Sequence, residues 1–239
     1  MDTGIITASK FLKEHCGRGL QLCYAGVAAK DPKYLEFYKR ASKKGDRVIL
    51  DHSPKVPRSP AKEEVMVEMI GRIRPKYTVL PNYDFGRDKT IRAGRDFLEE
   101  YPYLRGETQF VGMLQGISVA DIRECYRGLA GLCEVVGLSA SMEKVSKRDT
   151  VIERLGIKEP VILFEIYRDP VGEVPLRVNN VIGIATSWPV RLGVELKYLG
   201  EKTATPRPLD FKMRDPGNVS QHMIKVNISE FRKLVEVEG

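Results

Sequence analysis

Short apolar runs recur along this chain, and each one ends in a polar residue or a glycine. A continuous apolar run bounded by turn residues is typical of a strand that is buried on both faces. Helical patterns fill most of the intervals between the runs, as expected of alternating strands and helices. The runs lie at residues 48–51, 78–82, 110–116, 135–139 and 181–187.

This pattern predicts an α/β fold, a single-domain (β/α)8 TIM barrel over residues 1–239 with no zinc subdomain. Such a barrel typically takes about 250 residues, which suits a chain of 239. The sequence contains no internal repeat, low-complexity tract or linker that would indicate a second domain. In such a barrel the polar groups that follow the strands converge at one mouth, where active sites lie.

Periodicity and capping signals place the individual elements. The predicted strands cover residues 20–25, 47–51, 77–82, 109–115, 134–138, 161–166 and 181–186, with a last strand at 222–226. The predicted helices cover residues 32–44, 61–74, 90–100, 142–155 and 229–235, and one more begins after Ser118 with a capping-box-like start. Residues 194–199 are interpreted as a strand or hairpin arm, and residues 203–218, which contain three prolines, as irregular.

The net charge and the cysteine content limit the kinds of partner and metal that we expect this protein to bind. The net charge of +7 favours polyanions, of which nucleic acid is the obvious candidate. The four cysteines form no C-x-x-C pair, so we expect reduced, mostly buried thiols, no metal site and no cofactor. No apolar run approaches the roughly 20 residues of a membrane helix. The first 20 residues lack the apolar core of a secretion signal, so we expect a cytoplasmic protein with no membrane partner.

Asp51, Gln115 and Gly116 are the strongest candidates for chemistry, because each ends or follows an apolar run. A carboxylate at the end of a barrel strand is well placed as an acid, base or nucleophile, although Asp51 could equally be a cap or a loop ion pair. The Gln115 amide can donate to and accept from the edge of a nucleobase. Gly116, and similarly Gly137 before Leu138, would let a ligand approach the backbone, although turn glycines are common.

Further candidates flank the same mouth. Asn82 and Asp84 follow a strand and could hold a heterocycle, but an ordinary turn explains them as well. Arg191 could bind phosphate or cover the rim with its aliphatic stem. The remaining candidates for nucleic-acid contact are His52, Arg87 and Lys89.

Taken in chain order, these segments resemble the tRNA-guanine transglycosylase superfamily, above all its short, zinc-free, phage-type branch, the DpdA-like 7-deazaguanine DNA transglycosylases. No single motif is diagnostic, but five of them occur in family order. The segments are Leu-Asp-His-Ser at 50–53, Val-Leu-Pro-Asn at 79–82, Val-Gly-Met-Leu-Gln-Gly at 111–116, Val-Gly-Leu-Ser at 136–139 and Gly-Ile-Ala-Thr-Ser-Trp-Pro-Val-Arg at 183–191.

The resemblance implies an enzyme that exchanges guanine in DNA for a 7-deazaguanine, such as 7-cyano-7-deazaguanine, through an aspartyl covalent intermediate. It implies that Asp51 handles protons, and that Gln115, Gly116, Gly137 and Leu138 bind the base. DNA and a free 7-deazaguanine would be the partners, and a phage origin would place the protein in the host cytoplasm. The target base would have to leave the stack to reach such a pocket.

Two positions depart from the family pattern. Asn82 stands where the family usually carries an aspartate, and Asp84 is a possible substitute. Ala185 stands where the family carries its nucleophilic aspartate, and a methyl group cannot attack a sugar. Either the nucleophile is replaced here, as the family-like neighbours favour, or the register of this strand is shifted and another carboxylate attacks, with Glu165 and Asp84 as the first candidates. Two alternatives stay open, a tRNA-acting transglycosylase and a non-catalytic barrel that binds nucleic acid or a nucleobase.

Overall fold

Eight parallel strands form one sheet that curls into a nearly closed barrel surrounded by helices, as the sequence predicts. This computed structural model describes residues 1–7, 12, 16, 19–52, 61–166, 178–199 and 217–237. The spatial order of the strands is β1-β8-β7-β6-β5-β4-β3-β2. The strands are β1 Asp2–Ile5, β2 Leu20–Tyr24, β3 Arg47–Asp51, β4 Tyr77–Val79, β5 Gln109–Met113, β6 Val135–Ser139, β7 Val161–Phe164 and β8 Val181–Thr186.

The two edge strands, β1 and β2, approach each other where the barrel closes. A Cβ atom at Gly4 would lie 3.1 Å from the carbonyl oxygen of Leu20 and 3.4 Å from the Cβ of Ala185. Such a contact with backbone is tighter than most side chains tolerate, so the close approach of the strands depends on this glycine.

Helices cover the outside of the barrel. Asp31 accepts hydrogen bonds from the backbone N–H groups of Lys33 and Tyr34, which caps the helix that begins at Pro32. Ser118 caps its helix in the same way through the N–H of Asp121, as predicted. The helices are α1 Ala25–Ala28, α2 Pro32–Lys43, α3 Glu63–Ile73, α4 Arg87–Glu100, α5 Val119–Leu129, α6 Arg148–Leu155, α7 Trp188–Val194 and α8 Gly217–Val237, with 3₁₀ helices at Pro102–Gly106 and Ala140–Lys144.

Apolar residues form a core in two layers, one inside the barrel and one between the strands and the helices. Alternate residues of a strand point to opposite faces. Val111 and Met113 of β5 therefore pack inside the barrel, whereas Phe110 packs outward. The inner cluster consists of Ile6, Leu20, Leu22, Tyr24, Ile49, Tyr77, Val79, Val111, Met113, Val135, Ile162, Phe164 and Ala185.

Two predictions near the C-terminus were wrong, and one strand was not predicted. Residues 222–226 lie inside α8, not in a strand, because Ile224, Ile228, Phe231 and Val235 recur at helical spacing and are buried. Residues 194–199 form the end of α7 and a turn rather than a hairpin arm. The eighth strand is β1, at the opposite end of the chain. Most of the segment predicted as irregular, 203–216, lies outside the described residues.

None of the helices within the described ranges is both long and apolar enough to cross a membrane.

Candidate functional site

Asp51 and His52 lie at the end of β3 and are almost fully buried. Asp51 Oδ1 accepts a 2.7 Å hydrogen bond from the backbone N–H of His52. The Nδ1 atom of His52 accepts from the N–H of Ala61 at 3.1 Å, so the proton of a neutral ring is on Nε2, which donates to the carbonyl of Val79 at 3.0 Å. His52 thereby joins β3 to the end of β4 and to residue 61. Its predicted contact with nucleic acid stays a prediction.

The amides of Asn82 and Gln115 form the next part of the site. Both side chains are 3% exposed. Gln115 Nε2 donates to Asn82 Oδ1 at 3.4 Å, and Asn82 Nδ2 donates to the carbonyl of Leu80 at 3.1 Å. Gln115 Oε1 accepts from the backbone N–H of Phe85 at 3.1 Å. Two of the residues predicted to bind the base are thus brought together, and Gln115 bonds to the loop between β4 and α4.

Gly116 has a packing reason to be glycine. A Cβ there would lie 2.5 Å from the Cβ of Asp121 and 3.0 Å from the backbone nitrogen of Ile122, at the start of α5. Asp121 also accepts from Arg87 Nη1 at 3.0 Å, and Arg87 pairs in addition with Asp88. Both carboxylates raise the pKa of Arg87. The charge of Arg87, a predicted nucleic-acid contact, is therefore balanced within the protein.

Gly137, Leu138 and Ala185 lie in the core, below the mouth. A Cβ at Gly137 would lie 2.3 Å from the sulfur of Met113 and 3.0 Å from Cγ1 of Val111, so this glycine leaves room for side chains inside the barrel. Leu138 packs outward against the helices. Ala185 is fully buried in the inner cluster. A direct role of Gly137 or Leu138 in base binding stays a prediction.

Glu165 follows β7 directly and is the centre of a charged cluster. Its Oε2 accepts from Thr186 Oγ1 and from the backbone N–H of Ser187, each at 3.0 Å, and its Oε1 accepts from Ser187 Oγ at 2.7 Å. Its backbone carbonyl accepts from Arg148 Nη1 at 2.9 Å. Glu165 has a φ of 61°, a left-handed conformation that costs a residue with a side chain roughly 1–3 kcal/mol.

Arg148 and Arg191 supply the positive charges around Glu165. The side chain of Arg148 is fully buried and also pairs with Glu143 at 3.2 Å. Burial lowers the pKa of the Arg191 guanidinium, and the negative charges of Glu165 and Glu195 offset part of that shift. This side of the mouth therefore combines a half-buried carboxylate with two poorly solvated guanidinium groups.

The other polar candidates at the mouth are more exposed. Lys89 is exposed on the first turn of α4, and Asp84 is half-buried in the loop before it. The thiols lie deeper, and burial raises the pKa of Cys125 and Cys133 to about 11. Within the described residues, no three His, Cys, Asp or Glu side chains cluster as a metal site requires.

Two cavities lie at opposite ends of the barrel. A narrow crevice of about 190 Å³, counting space open to solvent, lies at the mouth and is lined in part by Phe85, Gln115, Gly116 and Ser139. A wider one of about 800 Å³ on the same measure lies near the starts of β3, β4 and β5. We place the candidate site at the mouth, because barrel enzymes carry their chemistry at the carboxyl ends of the strands.

Sequence reasoning left Phe85 out of the candidate site, and it considered Glu165 only as a substitute nucleophile. The signal for Glu165 was present, because an acidic residue directly after the apolar run 161–164 is the pattern that selected Asp51. Phe85 carried no comparable signal. It is 42% exposed, has a φ of 61° and donates its N–H to Gln115, which is thirty residues away in sequence.

No protein-family model matches this chain, and no curated protein matches it. Among solved structures, it is similar to the YdjI aldolase from Escherichia coli K12, with a TM-score of 0.54 and 10% identity over 98% of this chain and 88% of the aldolase.

Two further neighbours have lower scores. The chain matches L-talarate/galactarate dehydratase from Salmonella typhimurium LT2 with a TM-score of 0.47 and 10% identity, over 77% of this chain and 47% of the dehydratase. It matches β-methylaspartase from Clostridium tetanomorphum with a TM-score of 0.46 and 10% identity, over 99% of this chain and 59% of that protein. At these identities the likeness to the aldolase establishes the barrel fold alone.

Proposed function

We propose that this chain is an enzyme of the DNA-guanine transglycosylase type, which exchanges guanine in DNA for a 7-deazaguanine. The observation that carries the proposal is a set of buried polar residues after three neighbouring strands at the barrel mouth. Asp51 and His52 follow β3, with His52 bonded to the carbonyl of Val79 at the end of β4, and the amides of Asn82 and Gln115 bond to each other after β4 and β5. Amide groups of this kind match the donors and acceptors on the edge of a purine. The five family-like segments add the reaction class.

In the proposed reaction the target nucleotide leaves the base stack and enters the mouth. A carboxylate attacks the sugar C1′, the bond from C1′ to guanine N9 breaks, and guanine leaves with the electron pair. Asp51 gives a proton to the leaving guanine and later takes one from N9 of the incoming 7-deazaguanine. That base then displaces the carboxylate, as in two-carboxylate glycoside chemistry.

The identity of the attacking carboxylate is the open step of this mechanism. Ala185 stands at the family's nucleophile position, and its buried methyl group cannot attack. Exchange by this chain therefore needs either an aspartate restored at position 185 or attack by another acid. Of the two other acids considered, Glu165 and Asp84, Glu165 is the better placed, because Thr186 and Ser187, which follow Ala185, bond to its carboxylate.

The buried Ala185 favours a second candidate function, a barrel that binds nucleic acid or a nucleobase without catalysis. In that case the amide pair would still hold a base, while no covalent intermediate would form. A tRNA-acting transglycosylase is the third alternative, and competition between duplex DNA and tRNA would separate it from the first.

The test compares the wild-type protein with Ala185→Asp and with Ala185→Asn, which has nearly the same shape but no charge. Each protein is incubated with DNA and candidate 7-deazaguanines, and the nucleosides are analysed by mass spectrometry. We expect Ala185→Asp to exchange the base and to form a covalent DNA adduct on a denaturing gel, and Ala185→Asn to do neither. Folded Ala185→Asp protein that exchanges no candidate base would contradict the proposal.

Two additional measurements assign the roles. In the Ala185→Asp background, Asp51→Asn should slow exchange by about 10²-fold or more, because a general acid-base group is lost. A covalent DNA adduct formed by the wild-type protein would mean that a residue other than 185 attacks the sugar. Loss of that adduct in Glu165→Gln but not in Asp84→Asn would assign the attack to Glu165.

DNA affinity should fall steeply with salt, because phosphate contacts release counterions.

A further inference from the structure

Phe85 is an exposed aromatic residue at the rim of the mouth. It is 42% exposed and lies in the loop between β4 and α4. Its φ of 61° is in the left-handed region, which a bulky side chain rarely adopts. In this conformation its N–H donates to Oε1 of the buried Gln115 amide at 3.1 Å. The fold thus holds a large apolar side chain in solvent.

The surroundings of Phe85 combine apolar surface with positive charge. Lys144 Nζ lies 5.9 Å from the centre of the Phe85 ring. Ile117, which is 75% exposed, follows Gly116, and Gly116 lines the same crevice as Phe85. Lys89 lies on the first turn of the next helix. A small apolar edge flanked by lysines is complementary to stacked bases flanked by phosphates.

We propose that the Phe85 ring stacks against the DNA bases at the nucleotide being exchanged, with Ile117 beside it. The inference rests on the proposed function, because a base that leaves the duplex exposes the faces of its two neighbours. Apolar wedges that enter a base step stabilise such unstacked DNA. A rigid aromatic ring loses little conformational freedom on stacking, and the bond to Gln115 couples its position to the residue predicted to hold the extruded base.

The experiment measures unstacking and binding with the wild-type protein, which needs no nucleophile for either. The probe is a 30-base-pair duplex with a single guanine in one strand and 2-aminopurine as its neighbour. We expect the protein to raise 2-aminopurine fluorescence, and Phe85→Ala to abolish that rise and weaken binding by about tenfold, a typical loss for one stacked base. The slope of affinity against salt should not change, since the lysines are retained.

Tyr103→Ala is the matched control, because Tyr103 is 62% exposed and lies before β5, at the opposite end of the barrel. The control should leave both the fluorescence rise and the affinity unchanged. Phe85→Leu should bind better than Phe85→Ala but give a smaller rise than the wild type. Thermal melting should confirm that all three variants are folded, since both residues are exposed.

Equal fluorescence and affinity in the wild type and Phe85→Ala would overturn this inference and leave the base-exchange proposal intact. The same holds if Phe85→Ala and Tyr103→Ala weaken binding equally. Conversely, a fluorescence rise that depends on Phe85, in a protein whose Ala185→Asp variant exchanges no base, would support stacking on DNA and contradict base exchange. Absence of any DNA binding would overturn both proposals.

Discussion

The mouth residues that follow β3, β4 and β5 differ in charge from those that follow β6, β7 and β8, and the carboxylate of the second group is less buried than that of the first. The first group, which we call the amide side, comprises Asp51, His52, Asn82 and Gln115. The second, the carboxylate side, comprises Arg148, Glu165, Thr186, Ser187 and Arg191. On the amide side every side chain is at most 3% exposed. The His52 imidazole bonds to the carbonyl of Val79, and the Gln115 amide bonds to Asn82 and to the N–H of Phe85. On the carboxylate side Glu165 is half-buried between hydroxyl and guanidinium groups.

This difference separates neutral groups that can shape the site, which apart from Asp51 make up the amide side, from the charged groups of the carboxylate side. A buried network with its hydrogen bonds made is rigid, and it presents fixed groups to a ligand. A half-buried carboxylate with a left-handed backbone stores strain of the kind that clusters at functional sites. Under the proposed function, the carboxylate side is therefore where the attacking carboxylate should be sought first.

The largest expected effect tests whether Arg148 stabilises the carboxylate side. Arg148→Met removes a fully buried guanidinium that holds both Glu143 and the Glu165 carbonyl. Because one partner of a buried ion pair is lost, we expect the free energy of unfolding to fall by about 3–5 kcal/mol. Urea denaturation measures the change. Arg154→Met, an exposed change on the same helix, should alter it by less than about 0.5 kcal/mol, and equal effects would show that Arg148 does not support this side.

The next largest effect tests whether the two hydrogen bonds of the His52 ring stabilise the fold. His52→Leu leaves the N–H of Ala61 and the carbonyl of Val79 without their ring partners, so we expect a loss of about 2 kcal/mol in unfolding free energy. The exposed His222 of α8 is the control, and His222→Leu should change stability by less than about 0.5 kcal/mol. A stable His52→Leu protein with weakened DNA binding would instead support the predicted nucleic-acid contact.

The barrel was predictable from sequence because its signal is local. Strands buried on both faces produce apolar runs, and seven of the eight strands were found in this way. The exception, β1, is only four residues long and includes Asp2, Thr3 and Gly4, so no apolar run marks it. The segment 222–226 was mistaken for a strand because its helical stripe becomes visible only over the full length of α8.

The candidate site was predictable in its position but not in its contacts. Strand ends located Asp51 and Gln115, since residues at these positions must reach the mouth. Gly137 illustrates the limit, because a sequence does not reveal whether a glycine admits a ligand or a neighbouring side chain. Here the sulfur of Met113 takes the space. The carboxylate side depends on contacts between β7 and β8 that periodicity does not encode.

Gly137→Ala tests whether this glycine leaves space for a ligand or for a neighbouring side chain. The new methyl group would overlap Met113 and Val111 inside the barrel, so we expect a loss of about 1–2 kcal/mol from overpacking. Gly71→Ala, in an exposed position of α3 with open space around it, should instead stabilise the protein by up to about 1 kcal/mol. Thermal denaturation measures both. Unchanged stability with weaker binding of a 7-deazaguanine would indicate that Gly137 approaches the ligand after all.

The smallest expected effect concerns the coupling within the amide side. Gln115→Met keeps the volume of the side chain but removes the acceptor for Phe85 N–H and the donor to Asn82. Because the bond to Asn82 is long, at 3.4 Å, we expect a loss of only about 1 kcal/mol in unfolding free energy. Hydrogen exchange should nevertheless become faster at the Phe85 amide. Gln109→Met, at the opposite end of β5, should leave that amide protected. Unchanged protection in Gln115→Met would mean that contacts other than the Gln115 amide hold the rim loop, and that the amide side does not owe its order to this bond.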